Sequence, residues 1–149
     1  MALTVRSSGT LEPQLRVHHE GTKGTVMDFD ALSHSVIGAA LDVHKALGPG
    51  LLESAYARCL AIELERRRIR FLKEVPIPLL YRGIPVDAAY RADFIVERQL
   101  IVEAKSVTKL EGIHSAQLLT YLKLTGIKTG LLINFNTQSL RNGVIRVVH

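Results

Sequence analysis

Tyr90-Arg91-Ala92-Asp93-Phe94-Ile95-Val96-Glu97-Arg98-Gln99-Leu100-Ile101-Val102-Glu103-Ala104-Lys105 reads as a β-hairpin, two apolar arms joined by a polar tip at Glu97, Arg98 and Gln99. Its charges sit in unusual places. Asp93 lies inside one apolar arm, and Glu103 and Lys105 close the other. Side chains alternate along a strand, so Glu103 and Lys105 share a face. A three-residue tip sets Val96 against Leu100 and Asp93 against Glu103. A two-residue tip sends Asp93 to the opposite face, because a one-residue slip flips every side chain. One of the two registers therefore gathers two carboxylates and an ammonium on a mostly buried sheet.

Burying an unpaired charge costs several kcal/mol, and two neighbouring carboxylates are worse unless a cation lies between them. Mg2+ is held by one or two carboxylates together with water and substrate phosphate. Such an ion polarises a phosphoryl oxygen and lowers the pKa of bound water. A lysine beside it can orient or deprotonate that water, or offset charge at the phosphate. The competing reading is a solvated Glu/Lys pair at a strand end, which is common and structural.

Working outward, 149 residues suit one domain with a real core, and 47% hydrophobic with 22% charged residues is ordinary for a globular protein. One cysteine, Cys59, excludes an internal disulfide and a cysteine-rich zinc site. No stretch reads as a signal peptide or a membrane span, so the expected location is cytoplasmic. The formal net charge of +5 is scattered. Its densest cluster, Arg66-Arg67-Arg68 with Arg70, ends a helix, where cations also suit the helix dipole. Basic charge permits a nucleic-acid partner without requiring one.

Residues 1–27 show no period and read as a flexible tail preceding a domain of 28–149. The tail's His18-His19 pair lacks further ligands for a specific metal site. A first helix is expected from an N-cap at Asp28 or Asp30, with Leu32, Val36, Ile37, Ala40, Leu41, His44 and Leu47 on one face. His44 reads there as a packing residue. Gly48-Pro49-Gly50 stops that helix. A second helix runs from Leu51 to about Arg68, with Tyr56, Leu60 and Leu64 as its stripe. Glu53 falls on the same stripe, either answering the helix N-terminus or delivering a third acid to the hairpin.

Phe71–Tyr81 reads as one strand whose prolines, Pro76 and Pro78, put it at or near an edge. Arg82-Gly83 turns it into the hairpin. A third helix, about Ile113 to Thr125, presents Ile113, His114, Gln117, Tyr121 and Leu124 on one face, flanked by Leu118 and Leu122. Gln117 and Tyr121, one turn apart, point towards the sheet. Gly126 caps this helix, and strands at Thr129–Phe135 and Val144–Val148 follow. A strand, a helical crossover and another strand imply one parallel pair in an otherwise antiparallel sheet. The expected fold is α/β, a mixed sheet with helices on its faces. With 5% aromatic residues, no stacking platform is legible that would separate DNA from RNA.

From about residue 30 to 148 the chain resembles the GxxExxY protein family, a branch of the PD-(D/E)xK nuclease superfamily. The naming motif is Gly50-Leu51-Leu52-Glu53-Ser54-Ala55-Tyr56 and the nuclease signature is Asp93 with Glu103-Ala104-Lys105. A Gln-x-x-x-Tyr motif is Gln117 to Tyr121, and Gly130-Leu131-Leu132-Ile133-Asn134-Phe135 looks like the closing strand. Ala92 stands where the superfamily motif carries proline. The resemblance implies a restriction-endonuclease-like core with Asp93, Glu103 and Glu53 as metal carboxylates and Lys105 as catalytic lysine. Gln117 and Tyr121 would complete the site and contact phosphate. The expected activity is that of a Mg2+- or Mn2+-dependent nuclease, with DNA expected ahead of RNA, and the superfamily resemblance implies a 3′-hydroxyl product. The rival reading is a non-catalytic nucleic-acid- or protein-binding module of the same fold, working as a homodimer or with a protein partner.

Overall fold

In the computed structural model, which describes residues 23–87 and 90–149, a five-stranded sheet is sandwiched between helices. Helices α1 (Lys23–Leu47) and α2 (Glu53–Arg66) cover one face, and α3 (Gly112–Thr125) covers the other. The strands are β1 (Phe71–Pro76), β4 (Arg91–Val96), β5 (Leu100–Lys105), β6 (Thr129–Asn134) and β7 (Val144–Val148), in that spatial order. Strands β2 (Leu79–Tyr81) and β3 (Ile84–Val86) form a separate two-stranded sheet. Only β5 and β6 run parallel, since α3 carries the chain back between them. The mixed α/β sheet expected from the sequence is present.

Every residue of β6 is buried, as a strand covered on both faces must be. One apolar layer joins Tyr56, Leu60 and Leu64 of α2 to Phe94, Val102 and Ile133 of the sheet. The other joins Leu118, Tyr121 and Leu122 of α3 to Ile95, Ile101 and Leu132. Among the described residues no helix is long and apolar enough to cross a membrane.

Several expectations are corrected here. Helical backbone begins at Lys23, so neither Asp28 nor Asp30 is the N-cap; once nucleated, a helix propagates through residues that do not stop it. The first 22 residues, with His18 and His19, lie outside the described residues. The buried face of α1 centres on Val36, Ala39, Ala40 and Val43, while Leu47 is exposed. On α3, Leu118, Tyr121 and Leu122 are the buried residues and Ile113 is exposed. His114 serves the N-terminus instead, its Nδ1 accepting the Glu111 N–H at 2.8 Å. Phe71–Tyr81 is two strands, broken at Ile77-Pro78, where prolines cannot donate to a ladder. Its first half, β1, is the sheet edge that the prolines predict.

The basic cluster after α2 is largely absorbed by ion pairs. Arg67 reaches Asp42 of α1 at 2.7 Å, and Arg70 and Arg66 lie 3.8 Å from Glu97 and Glu63. His44 is buried with Nε2 2.8 Å from the Thr137 carbonyl oxygen, a packing residue with its polar atom satisfied.

Candidate active site

The hairpin takes the register of a three-residue tip: Val96 pairs with Leu100, Ile95 with Ile101 and Phe94 with Val102. Glu97 and Arg98 turn the corner with positive φ, and the tip closes through the Gln99 N–H to the Val96 carbonyl at 2.9 Å. One step further along, Asp93 and Glu103 face each other. There the ladder gives way to a side-chain clasp. The Glu103 carboxylate (Oε2) accepts the Asp93 backbone N–H, and the Asp93 carboxylate (Oδ2) accepts the Ala104 N–H, both at 2.8 Å.

Alternation along β4 breaks at Asp93. Ala92 packs with Ile95 on the α3 side, whereas Phe94 and Val96 pack on the α1–α2 side. Across on β1 the same break falls at Glu74, which takes a φ of +53° and lies between Leu72 and Val75, both on the α3 side. Two adjacent strands thus kink together beside the carboxylates. This lets Asp93 line a cleft on the α2 side while its backbone stays clasped to Glu103.

That cleft encloses about 980 Å³ between the start of α2 and the sheet, with Glu53, Arg58, Lys73, Glu74 and Asp93 among its lining residues. Glu53 is the first residue of α2 and is exposed rather than buried on the stripe below it. The preceding turn is well specified. Gly50 takes a φ of +101°, a conformation that side chains resist. Tyr56, fully buried and stacked on Phe135 at 4.6 Å, accepts the Leu51 N–H at 3.1 Å and donates to the Gly48 carbonyl. Glycine, acid and tyrosine of Gly50–Tyr56 therefore each have a physical part: turn, cleft wall and clamp.

Burial, first, and repulsion from Asp93, second, push the Glu103 carboxyl up to about 8. Asp93 is raised as well, by burial and by Glu53, against the opposing hydrogen bond from Ala104 and the charge of Lys105. Lys105, at the end of β5, lowers both acids' pKa values and is thus within electrostatic reach of each. Tyr121 is buried on α3 and its hydroxyl is pushed up to about 12 by burial and by the charges of Glu103 and Asp93. Gln117 lies one turn before Tyr121, half-buried. Among the described residues no group of three or more His, Cys, Asp or Glu side chains is arranged to hold a metal ion. As donors the acids still suit a hard divalent cation, since the clasp occupies one oxygen of each carboxylate and leaves one of each over.

The family model described as PD-(D/E)XK nuclease superfamily matches residues 30–147. The chain belongs to the PD-(D/E)XK nuclease superfamily. The searches of curated proteins and of solved structures gave no match. For a PD-(D/E)XK chain the mixed sheet is the restriction-endonuclease-like fold, and divalent metals are the general cofactors of such nucleases.

Three residues at this candidate site were missed by sequence reasoning. Arg58 and Lys73 put cationic side chains on the cleft wall, and nothing in their spacing announces it. Asn134, buried in β6 and in register with Lys105, holds the segment after the lysine. Its Oδ1 accepts the Val107 N–H at 3.1 Å and its Nδ2 donates to the Val107 carbonyl at 2.9 Å. A lone amide ending an otherwise apolar strand is the signal that could have found it.

Proposed function

We propose that this chain is a divalent-metal-dependent phosphodiesterase acting on DNA in the cytoplasm, of the GxxExxY branch. The observation that carries the reading is the clasp between half-buried Asp93 and buried Glu103, with Glu103 pushed up to about 8 and Lys105 and Glu53 within electrostatic reach. Among the described residues neither acid is in an ion pair of its own, so the two share the site with Lys105 at electrostatic range and with the backbone N–H groups of the clasp. The branch assignment is supported by the parts that Gly50, Glu53 and Tyr56 play.

On this reading Asp93 and Glu103 would hold Mg2+ or Mn2+ through the oxygens that the clasp leaves over, and Glu53 would support the ion or its water from the cleft wall. When bound, the ion supplies positive charge to the phosphoryl oxygens and makes water a better nucleophile. The Lys105 ammonium orients the attacking water and offsets charge as the phosphate becomes pentavalent. Tyr121, with its pKa near 12, stays protonated and donates a hydrogen bond to a phosphate oxygen. Gln117, one turn before it, donates its amide to the same group. Arg58 and Lys73 take neighbouring phosphates, giving affinity without sequence readout. The water oxygen bonds to phosphorus, the P–O3′ bond breaks, and the products are a 5′-phosphate and a 3′-hydroxyl.

A second reading is a binding module that keeps the fold without turnover, favoured by the lack of a three-acid metal group among the described residues. Titrating Mn2+ calorimetrically into wild type and Asp93→Asn, beside plasmid nicking, separates the two. Binding and nicking that both vanish in Asp93→Asn support the nuclease; wild type that binds no Mn2+ and nicks nothing supports the module.

A further inference from the structure

The β2–β3 hairpin stands apart from both apolar layers. Leu79 is half-exposed and its other five strand residues are exposed. Arg82 and Gly83 close it with positive φ at both positions, the two-residue turn whose twist suits a hairpin. Such a hairpin is marginal in water unless something covers it. At its tip Tyr81 is 62% exposed, and the Arg82 guanidinium lies 5.6 Å from the centre of its ring. One ring face is thus met by a cation while the ring stays open to solvent.

The arm is continuous with the acid site. Tyr90, 39% exposed at its return, lies 6.2 Å from the ring of Tyr121, whose hydroxyl feels the charges of Glu103 and Asp93. Strand β4 then reaches Asp93 within three residues of Tyr90. A second copy of the chain fits poorly as the occupant, because a stable protein interface uses about 20–30 residues a side and the arm offers six strand residues. A flat, open aromatic ring with an adjoining guanidinium matches a nucleobase and its phosphate. Bases inside a duplex have both faces covered by their neighbours; unpaired bases do not.

Resting on the nucleic-acid reading above, we infer that the β2–β3 arm is a stacking platform for unpaired nucleotides. Tyr81 takes a base and Arg82 the next phosphate, so the substrate carries a single-stranded segment beside the bond that is cut. The platform was invisible in the sequence because Tyr81 read as the end of a longer strand.

The test is fluorescence anisotropy of a labelled oligothymidine and of a duplex of equal length, in EDTA, with full-length wild type and variants. Wild type is expected to prefer the single strand, and Tyr81→Ala to weaken that binding about tenfold while leaving duplex affinity unchanged. Tyr81→Phe, which keeps the ring, restores it. Equal single-strand affinity in wild type and Tyr81→Ala overturns the platform, as does a wild-type preference for duplex. A wild-type dimer that Ile84→Asp dissolves, without nucleic-acid binding, makes the arm a protein contact and overturns it too. Cleavage of the same oligothymidine by these proteins in Mn2+ keeps the two readings apart. Oligothymidine cleavage without any dependence on Tyr81 retains the nuclease and removes the arm; Tyr81-dependent binding without cleavage does the reverse.

Discussion

Asp93 and Glu103 each bond the backbone of the other's strand: Glu103 accepts the Asp93 N–H, and Asp93 accepts the N–H of Ala104, at 2.8 Å in both cases. Two carboxylates thus replace a rung of the β4–β5 ladder. The arrangement satisfies two amides but sets a buried acid, Glu103, beside a half-buried one, Asp93, and its energetics depend on pH.

Glu103 is raised from 4.5 to about 8, and Asp93 is raised too. Between pH 4.5 and 8 the native chain therefore holds protons that the unfolded chain has released. Stability from this site is greatest below the unfolded pKa and is lost as pH rises through the folded one. A divalent cation competes with those protons, so its stabilising effect should grow from pH 6 to pH 9. Thermal melts in EDTA and in excess Mn2+, from pH 5 to 9, check this. A Mn2+ increment in Tm that shrinks with rising pH would contradict it.

Glu103→Gln keeps an oxygen for the Asp93 amide and removes the buried charge. Without metal at pH 9 it should be more stable than wild type, with Tm rising by about 2–4 °C for each kcal/mol recovered. At pH 5, where the wild-type acid is already protonated, the difference should disappear. Mn2+ binding and nicking should be lost at both. Differential scanning calorimetry at the two pH values decides it, and a variant less stable than wild type at pH 9 counts against the assignment.

Much of the site was legible because it rests on alternation. The polar tip at Glu97–Gln99 narrowed the pairing to two registers, of which the structure takes the three-residue one, and parity put Glu103 and Lys105 on one face. Helical spacing likewise brought Tyr56, Leu60 and Leu64 inward. What failed were departures from periodicity. The paired kinks at Glu74 and Asp93 arise where two strands distort together, which neither strand's own residues reveal. Pro76-Ile77-Pro78 signals an edge, but not that the chain leaves the sheet and builds an arm. On α3 an apolar period without strong polar contrast left the buried face ambiguous, and Ile113 proved exposed where Leu118 is buried.

Tyr56 joins the turn at Gly48–Leu51 to the core, and Glu53 stands between the two. Tyr56→Phe keeps the stack on Phe135 and deletes the hydroxyl that bonds the Leu51 N–H and the Gly48 carbonyl. The expected loss is about 1 kcal/mol, hence about 2–4 °C in Tm. Faster amide exchange should be confined to Leu51 and the first turn of α2. On the nuclease reading turnover falls, because Glu53 is less well held. Exchange that quickens throughout the core instead would mean that the hydroxyl supports the stack and not the turn.

Asn134→Leu tests how the segment after Lys105 is held. The leucine fills similar volume in β6 but leaves the Val107 and Asn136 N–H groups without their acceptor, while the Val107 carbonyl keeps only the Asn136 Nδ2 at 3.4 Å. The cost should be about 3 kcal/mol, read from urea denaturation at unchanged m-value. Asn134→Asp retains the acceptor for the Val107 and Asn136 amides and should lose less at pH 5 than at pH 8, since at pH 8 it places a charge in the buried strand β6. Equal losses at the two pH values would remove the electrostatic part of that argument.

Gly130 sets how closely α3 lies on the sheet, and so where Tyr121, one turn after Leu118, meets the carboxylates. A Cβ added at Gly130 would stand 2.7 Å from Leu118 Cδ1 and 2.8 Å from Cγ. Leu118 is fully buried and has nowhere to turn. Gly130→Ala should therefore cost about 1–3 kcal/mol by overpacking. Leu118→Ala alone should cost about 2–5 kcal/mol by leaving a cavity. In the double variant the alanine at 130 enters space that the leucine has vacated, so the loss should be smaller than the sum of the two. A double-mutant cycle on unfolding free energies measures that coupling. Additive losses would mean that the helix lifts off β6 to admit the methyl group, in which case Gly130→Ala alone should also lower the Tyr121 hydroxyl from about 12 towards its ordinary value.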